Sequence, residues 1–244
     1  MEDLKEYLEA FYHAGELGEW QLAYDILNEK RGGEEKNKSV EEFLDLQGFY
    51  RKRAELYEEI IAGSQREQVC YRNSLNRLGL CYHSLGQYEK AIAYHQQYHD
   101  ISEEIGDRRG VAISLGNMGS CYYSLGQYEK AIAYHQQSLE ISEEIGYRQG
   151  VASSLGNLGN CYKSLGQYEK AIFYHQQCHD ISEAMGDRKG VAISLGNLGN
   201  CYYDLGQYEK AIDLYQQYHD ISEKISFRQG VAISFGNLSN CYSS

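Results

Sequence analysis

One text of forty residues, written four times over, constrains this 244-residue chain more than any other feature. The stretch 121–150 reads CYYSLGQYEKAIAYHQQSLEISEEIGYRQG, and 161–190 reads CYKSLGQYEKAIFYHQQCHDISEAMGDRKG. Closely related text stands at 81–110 and at 201–230. A fixed period of this size marks a supersecondary unit that cannot bury its apolar face alone, so stacked copies must share a core. The chain is expected to grow by repetition rather than to close around one centre.

The copy from Val111 predicts two helices. Val111, Leu115, Met118, Tyr122 and Leu125 step by four and three, which puts them on one apolar stripe. Gly126 follows the stripe, where a left-handed residue ends a helix. A second helix is expected from about Gln127 to Ile145, roughly 28 Å at ~1.5 Å per residue. Tyr128, Ala131, Ile132, His135, Leu139 and Ser142 lie on its inner face, and Gly146 closes it. Asp107 and Asp187 stand where following helices begin and can cap free N–H groups. Glycine inside a helix costs up to ~1 kcal/mol against alanine. The recurring pairs Gly79/Ala91, Gly119/Ala131, Gly159/Ala171 and Gly199/Ala211 are therefore expected to mark the closest approach of paired helices.

The pattern Leu115-x-x-Met118-Gly119-x-x-Tyr122, then Gly126-x-Tyr128-x-x-Ala131, resembles the tetratricopeptide repeat. Leu115 (Leu75, Leu155 and Leu195 elsewhere) replaces the first aromatic of the family, and His95, His135, His175 and Tyr215 take the place of the aromatic in the second helix. The terminal proline of the usual 34-residue form is absent, as the chain contains none. The longer period is similar to LGN/Pins-type adaptors, kinesin light chains and bacterial repeat arrays. The resemblance implies an all-α, right-handed superhelical solenoid of antiparallel helix hairpins. Residues 67–244 would hold four full repeats plus a final first helix, and residues 1–66 a divergent N-terminal helical cap. In that N-terminal part, residues 4–17 and 20–27 read as a helical hairpin broken at Gly18, residues 31–39 as a loop, and residues 40–61 as helical with a break at Gly48. At the other end residues 231–242 form a first helix with no second one after it, which reads equally as a closing helix or as a cut within a longer chain.

The net charge of −12 disfavours a nucleic-acid backbone or an anionic membrane as partner. No apolar run approaches the ~18 residues that span a bilayer. The acidic, amphipathic start lacks the order of a secretory signal, so a cytoplasmic location is expected. Cys81, Cys121, Cys161, Cys201 and Cys241 fall on the period, while Cys70 and Cys178 do not. Stacked helices lie roughly 8–10 Å apart, beyond the ~7 Å that a disulfide tolerates between Cα atoms. The periodic cysteines are thus expected to be small buried hydrophobes.

Opposite the packed stripe of the first helices lie Asn117, Ser120 and Tyr123, then Asn157, Asn160 and Lys163, then Asn197, Asn200 and Tyr203, and finally Asn237 and Asn240. The first copy carries Arg77 there. Asparagine is not favoured inside helices, and its amide can pair with both halves of a peptide unit. The resemblance implies that these residues line a concave groove for a protein or peptide ligand; the alternative is that they only bridge neighbouring repeats or are hydrated. Arg108, Arg148, Arg188 and Arg228 recur just before first helices and are expected to form salt links between repeats. The pairs His95/His99 and His175/His179 have the spacing of zinc helices, but the other copies put Leu139 or Tyr215 at the matching places, so packing is the expected role. No nucleophile elbow or phosphate loop is found, so no catalytic residue, metal or cofactor is assigned. A non-catalytic interaction scaffold is expected. The alternatives are a regulatory or sensory segment of a larger multidomain protein and a homo-oligomer stacked through solenoid ends.

Overall fold

The computed structural model describes residues 2–28, 50–66 and 68–242, and all regular structure among them is helical. The helices are α1 (Glu2–Glu16), α2 (Trp20–Asn28), α3 (Tyr50–Gly63), α4 (Val69–Ser84), α5 (Tyr88–Glu104), α6 (Arg108–Ser124), α7 (Tyr128–Glu144), α8 (Arg148–Ser164), α9 (Tyr168–Ala184), α10 (Arg188–Asp204), α11 (Tyr208–Lys224) and α12 (Arg228–Tyr242). None is long and apolar enough to cross a membrane. The expected break at Gly18 is present, with φ at +75° between α1 and α2. The loop expected at 31–39 and the break expected at Gly48 lie outside the described residues.

The chain divides into two compact units, Met1–Cys121 and Tyr122–Ser244. In the first, Phe11, Ala14, Ala23, Leu27, Ala54, Leu56, Tyr57 and Ile60 of α1–α3 join Cys70, Leu78 and Cys81 of α4 in one buried cluster. The Trp20 indole fits against Gly63, where a Cβ would collide with it. A second cluster unites Leu75 of α4 with Tyr98 and Ile101 of α5. In the second unit, Val191, Ala192 and Leu195 of α10 pack with Tyr218 of α11, while Ala211 and Tyr215 of α11 pack with Cys241 of α12.

The same local chemistry ends each helix from α4 to α10. Gly166 sits at φ +70°, its N–H donating to the Lys163 carbonyl at 2.9 Å and the next N–H, of Gln167, to Tyr162 at 2.9 Å. Only glycine takes that left-handed conformation freely. The anticipated aspartate caps are in place: Gly110 N–H donates to Asp107 Oδ1 and Gly190 N–H to Asp187 Oδ1, both at 2.9 Å.

One expectation changes in detail. What a side chain on each helical glycine would meet first is a ring rather than the recurring alanine. A Cβ on Gly79 would meet the His95 ring at 2.5 Å, one on Gly159 the His175 ring at 2.5 Å, and one on Gly199 the Tyr215 ring at 2.6 Å. Each glycine makes room for a ring from the second helix of its hairpin, and Ala91, Ala171 and Ala211 are fully buried beside them.

Candidate functional site

The candidate residues are carried by the first helices of the hairpins, and each unit has its own set. In the first unit Asn117 donates through Nδ2 to Asn76 Oδ1 at 2.9 Å, linking α6 to α4. Ser120 donates back to the Gly116 carbonyl at 3.0 Å, so its hydroxyl is engaged within its own helix. Arg77 is half-buried on α4.

In the second unit the candidates fall into two rows. At the C-terminal ends of the helices, neighbouring repeats are clasped together. The Tyr123 and Ser164 hydroxyls lie 3.0 Å apart, and Lys163 Nζ meets Asp204 Oδ2 at 3.0 Å with both side chains about a third exposed. Tyr203 packs its ring against Tyr208 at 5.4 Å. One turn earlier the asparagines are half-buried and differently placed. The side-chain amides of Asn157, Asn160 and Asn197 make no hydrogen bond among the described residues. Asn200 Oδ1 accepts from the Tyr215 hydroxyl at 2.8 Å and from Asn237 Nδ2 at 3.5 Å. Asn240 is exposed near the end of α12.

The difference between paired and unpaired amides has a sequence cause. Asn117 reaches back 41 positions to Asn76. The corresponding place for Asn197 is Gly156, which has no side chain with which to answer. The bridge found in the first unit therefore cannot form at Asn197. Its amide faces a cleft of about 410 Å³ lined by Ile193, Gly196, Asn197 and Asn200 of α10, Tyr218 of α11, and Ile233 and Asn237 of α12, with Lys189 and Phe227 at its edge. Ile193 and Ile233 are each more than two-fifths exposed. Lys189 Nζ stands 4.9 Å from the centre of the Phe227 ring. The cleft thus combines apolar walls with amides that can donate and accept. These asparagines were legible as a ladder; Ile233, Phe227 and Tyr218 were not, because only packing shows which residues of adjacent repeats close one space.

Three of the four recurring arginines depart from expectation. Arg148, Arg188 and Arg228 are exposed and form no ion pair among the described residues. The links that do form in the first unit use other arginines: Arg72 with Asp107 at 3.0 Å and Arg66 with Glu104 at 2.9 Å. These arginines open their helices at exposed positions, where a pair gains ~0–1 kcal/mol and is easily forgone.

The histidines belong to the packing. His95, His135 and His175 are at most 1 % exposed. Burial holds the pKa of His95 down at about 3, and those of His135 and His175 at about 4. Their zinc-spaced companions turn elsewhere: His99 Nδ1 lies 3.0 Å from Ser114 Oγ, and His179 Nδ1 lies 3.2 Å from Asp180 Oδ1. The seven cysteines are free thiols, six of them buried. Burial pushes Cys121 up to about 12, and Cys161 and Cys201 up to about 11, so these thiols stay protonated and unreactive near neutral pH.

Comparison with known proteins agrees with this architecture. The tetratricopeptide repeat pattern matches residues 70–144, 110–184, 150–224 and 190–244, so the chain belongs to the tetratricopeptide repeat family. No curated protein matches the sequence. Among solved structures, BtubC (BKLC) from P. vanneervenii is 23% identical, with 91% of this chain and 88% of that one covered and a TM-score of 0.65. A signal transduction ATPase with numerous domains from Pyrococcus horikoshii, which has a tetratricopeptide repeat sensor, is 24% identical over 82% of this chain and 31% of that chain, with a TM-score of 0.70. The Rap conjugation gene regulator of the plasmid pLS20, solved in complex with the Phr* peptide, is 19% identical over 79% of this chain and 54% of that chain, also with a TM-score of 0.70. At these identities the likeness concerns the fold.

Proposed function

We propose that the chain is a non-catalytic, cytoplasmic interaction scaffold that holds a peptide segment of a partner protein against the first helices of its second unit. The observation that carries this reading is the amide wall beside the α10–α12 cleft. In that cleft Asn197 keeps its donors and acceptor available beside the apolar surface of Ile193 and Ile233, and the side-chain amides of Asn157 and Asn160 on α8 are likewise unpaired among the described residues. An amide presents two donors and an acceptor, which suits an extended main chain. The apolar walls would select a side chain. The Rap regulator gives independent support, as a protein of this fold whose structure contains a peptide.

Lys163 and Asp204 neutralise one another, and Tyr123 is tied to Ser164, so side-chain selection falls to the cleft rather than to those residues. The test is a pull-down with the intact chain, identification of the bound segment, and titration of that segment into the variant Asn157→Ala/Asn160→Ala/Asn197→Ala. Affinity should fall by at least about tenfold, since each lost main-chain hydrogen bond contributes about 0.5–1.5 kcal/mol. The far-UV circular dichroism should stay unchanged. Undiminished binding by a folded variant would reject the groove.

A further inference from the structure

Away from the asparagine face, each hairpin carries a second repeated device, formed where the end of the first helix meets its partner. Tyr82 stacks on Tyr94 with ring centres 5.5 Å apart and planes 4° from parallel. Tyr122 and Tyr134 repeat this at 5.1 Å and 18°, and Tyr162 and Tyr174 at 5.3 Å and 2°. A lysine stands by each first tyrosine: Lys90 lies 5.0 Å from the Tyr82 ring centre, Lys130 5.3 Å from Tyr122, and Lys170 5.0 Å from Tyr162.

The fourth copy keeps half of the device. Tyr202 is present with Lys210 at 5.1 Å, but the second tyrosine is replaced by Leu214. The residue before it, Ala93, Ala133 or Phe173 in the other copies, is Asp213. Leucine is shorter than tyrosine and has no ring to lay on Tyr202. A cleft of about 380 Å³ opens there, lined by Tyr202, Glu209, Lys210, Asp213 and Leu214. That volume lies at the small end of the about 300–1,000 Å³ typical of ligand sites.

We infer that this cleft is a receptor slot for one aromatic side chain of a partner protein, flanked there by lysine or arginine. The three filled copies are the template for the ring. Each shows that a phenol in this place finds a near-parallel face to stack on, an arrangement that aromatic pairs favour when the rings are offset. The charge preference comes from Glu209 and Asp213, both exposed at the rim, with Asp213 held in place by a hydrogen bond from Gln217 Nε2 at 2.9 Å. Lys210 is turned toward Gln207 Oε1 at 2.9 Å and forms no ion pair with either carboxylate among the described residues. A net charge of −12 adds long-range attraction for a cationic segment. The slot uses none of the asparagines and is independent of the proposed groove.

The slot can be filled from within. Leu214→Tyr writes the sequence of the other three copies into the fourth, so the variant should fold. The probe is the peptide acetyl-Lys-Tyr-Lys-amide, followed by chemical-shift mapping on the intact chain. Acetyl-Lys-Leu-Lys-amide and acetyl-Glu-Tyr-Glu-amide are the controls for ring and charge. Saturable shifts are expected at Tyr202 and across residues 209–214. They should weaken at least about tenfold in Leu214→Tyr, which removes the stacking face, and severalfold in Asp213→Ala. Absence of shifts in the wild type, equal binding by the leucine peptide, or binding retained by Leu214→Tyr would overturn the assignment. Light scattering tests the rival occupant, a second copy inserting Phe173, which is 60% exposed. A dimer abolished by both Leu214→Tyr and Phe173→Ala would likewise overturn the partner reading.

Discussion

His175 concentrates the trade-off that three of the hairpins make. Its ring fills the space left by Gly159, but neither ring nitrogen has a hydrogen-bond partner among the described residues. The fourth copy solves the same problem with Tyr215, whose hydroxyl donates to Asn200. Asn160 holds the matching place opposite His175, so His175→Tyr should find an acceptor there. The variant also removes a titration. Burial keeps the folded pKa of His175 at about 4, against 6.5 for the exposed ring. The unfolded chain therefore takes up the proton first, and stability is lost as pH falls from about 6.5 to about 4 and is flat below. At 1.4 kcal/mol per pKa unit, His175→Tyr should exceed the wild type by about 2–3 kcal/mol at pH 4.5 and by much less at pH 7.5. Chemical denaturation at both pH values measures this; an equal difference at the two would show that the ring is not held neutral. The equivalence of His and Tyr was legible in the sequence as an aromatic place in the repeat. That the helical glycine serves the ring, rather than the alanine, was not, because spacing gives the face of a helix but not the depth to which a side chain on its neighbour reaches.

At the scale of the helices, nearly all of the array was readable, because apolar spacing and the helix-ending turns recur from copy to copy. The exception is the turn before α12. Seven turns of the described chain between Gly86 and Gly206 place glycine at φ between +64° and +72°, and the eighth places Ser226 at +57°. Its backbone still makes the helix-ending bonds, Ser226 N–H to the Glu223 carbonyl at 3.0 Å and Phe227 N–H to Ser222 at 2.8 Å. A side chain in the left-handed region costs roughly 1–2 kcal/mol, and glycine returns part of that gain through greater freedom in the unfolded chain. Ser226→Gly should therefore stabilise the last hairpin by about 0.5–1 kcal/mol, read as a rise in the thermal midpoint of about 1–4 °C. A lowered midpoint would mean that the serine hydroxyl supplies an interaction which outweighs the strain. The links expected of Arg148, Arg188 and Arg228 failed at this same scale for the opposite reason. Sequence spacing recorded their recurrence, but a recurring exposed charge need not recur as a contact.

For the molecule as a whole, the boundary drawn at residue 66 separates two kinds of sequence but runs through one buried cluster. Cys70, Leu78 and Cys81 of α4 are fully buried, and what covers them includes Phe11, Ala23, Leu56 and Ile60 of the irregular N-terminal part. Sequence reading found the end of the repeat and assigned a cap, but pattern alone does not say which side chains the cap covers. In a repeat array each unit gains its stability from its neighbours, so a first hairpin stripped of its cap loses one whole interface. A chain beginning at residue 67 should thus leave α4 with an exposed apolar face, at about 25 cal/mol for each Å² of apolar surface uncovered. The loss should be local: amide exchange in α4 and α5 should quicken by orders of magnitude while that in α9–α11 keeps its rate, since hairpins far from the cut retain their neighbours. Unchanged protection in α4 would show that the N-terminal helices rest on the array without supporting it, and uniform loss throughout would show that the repeats melt as one body.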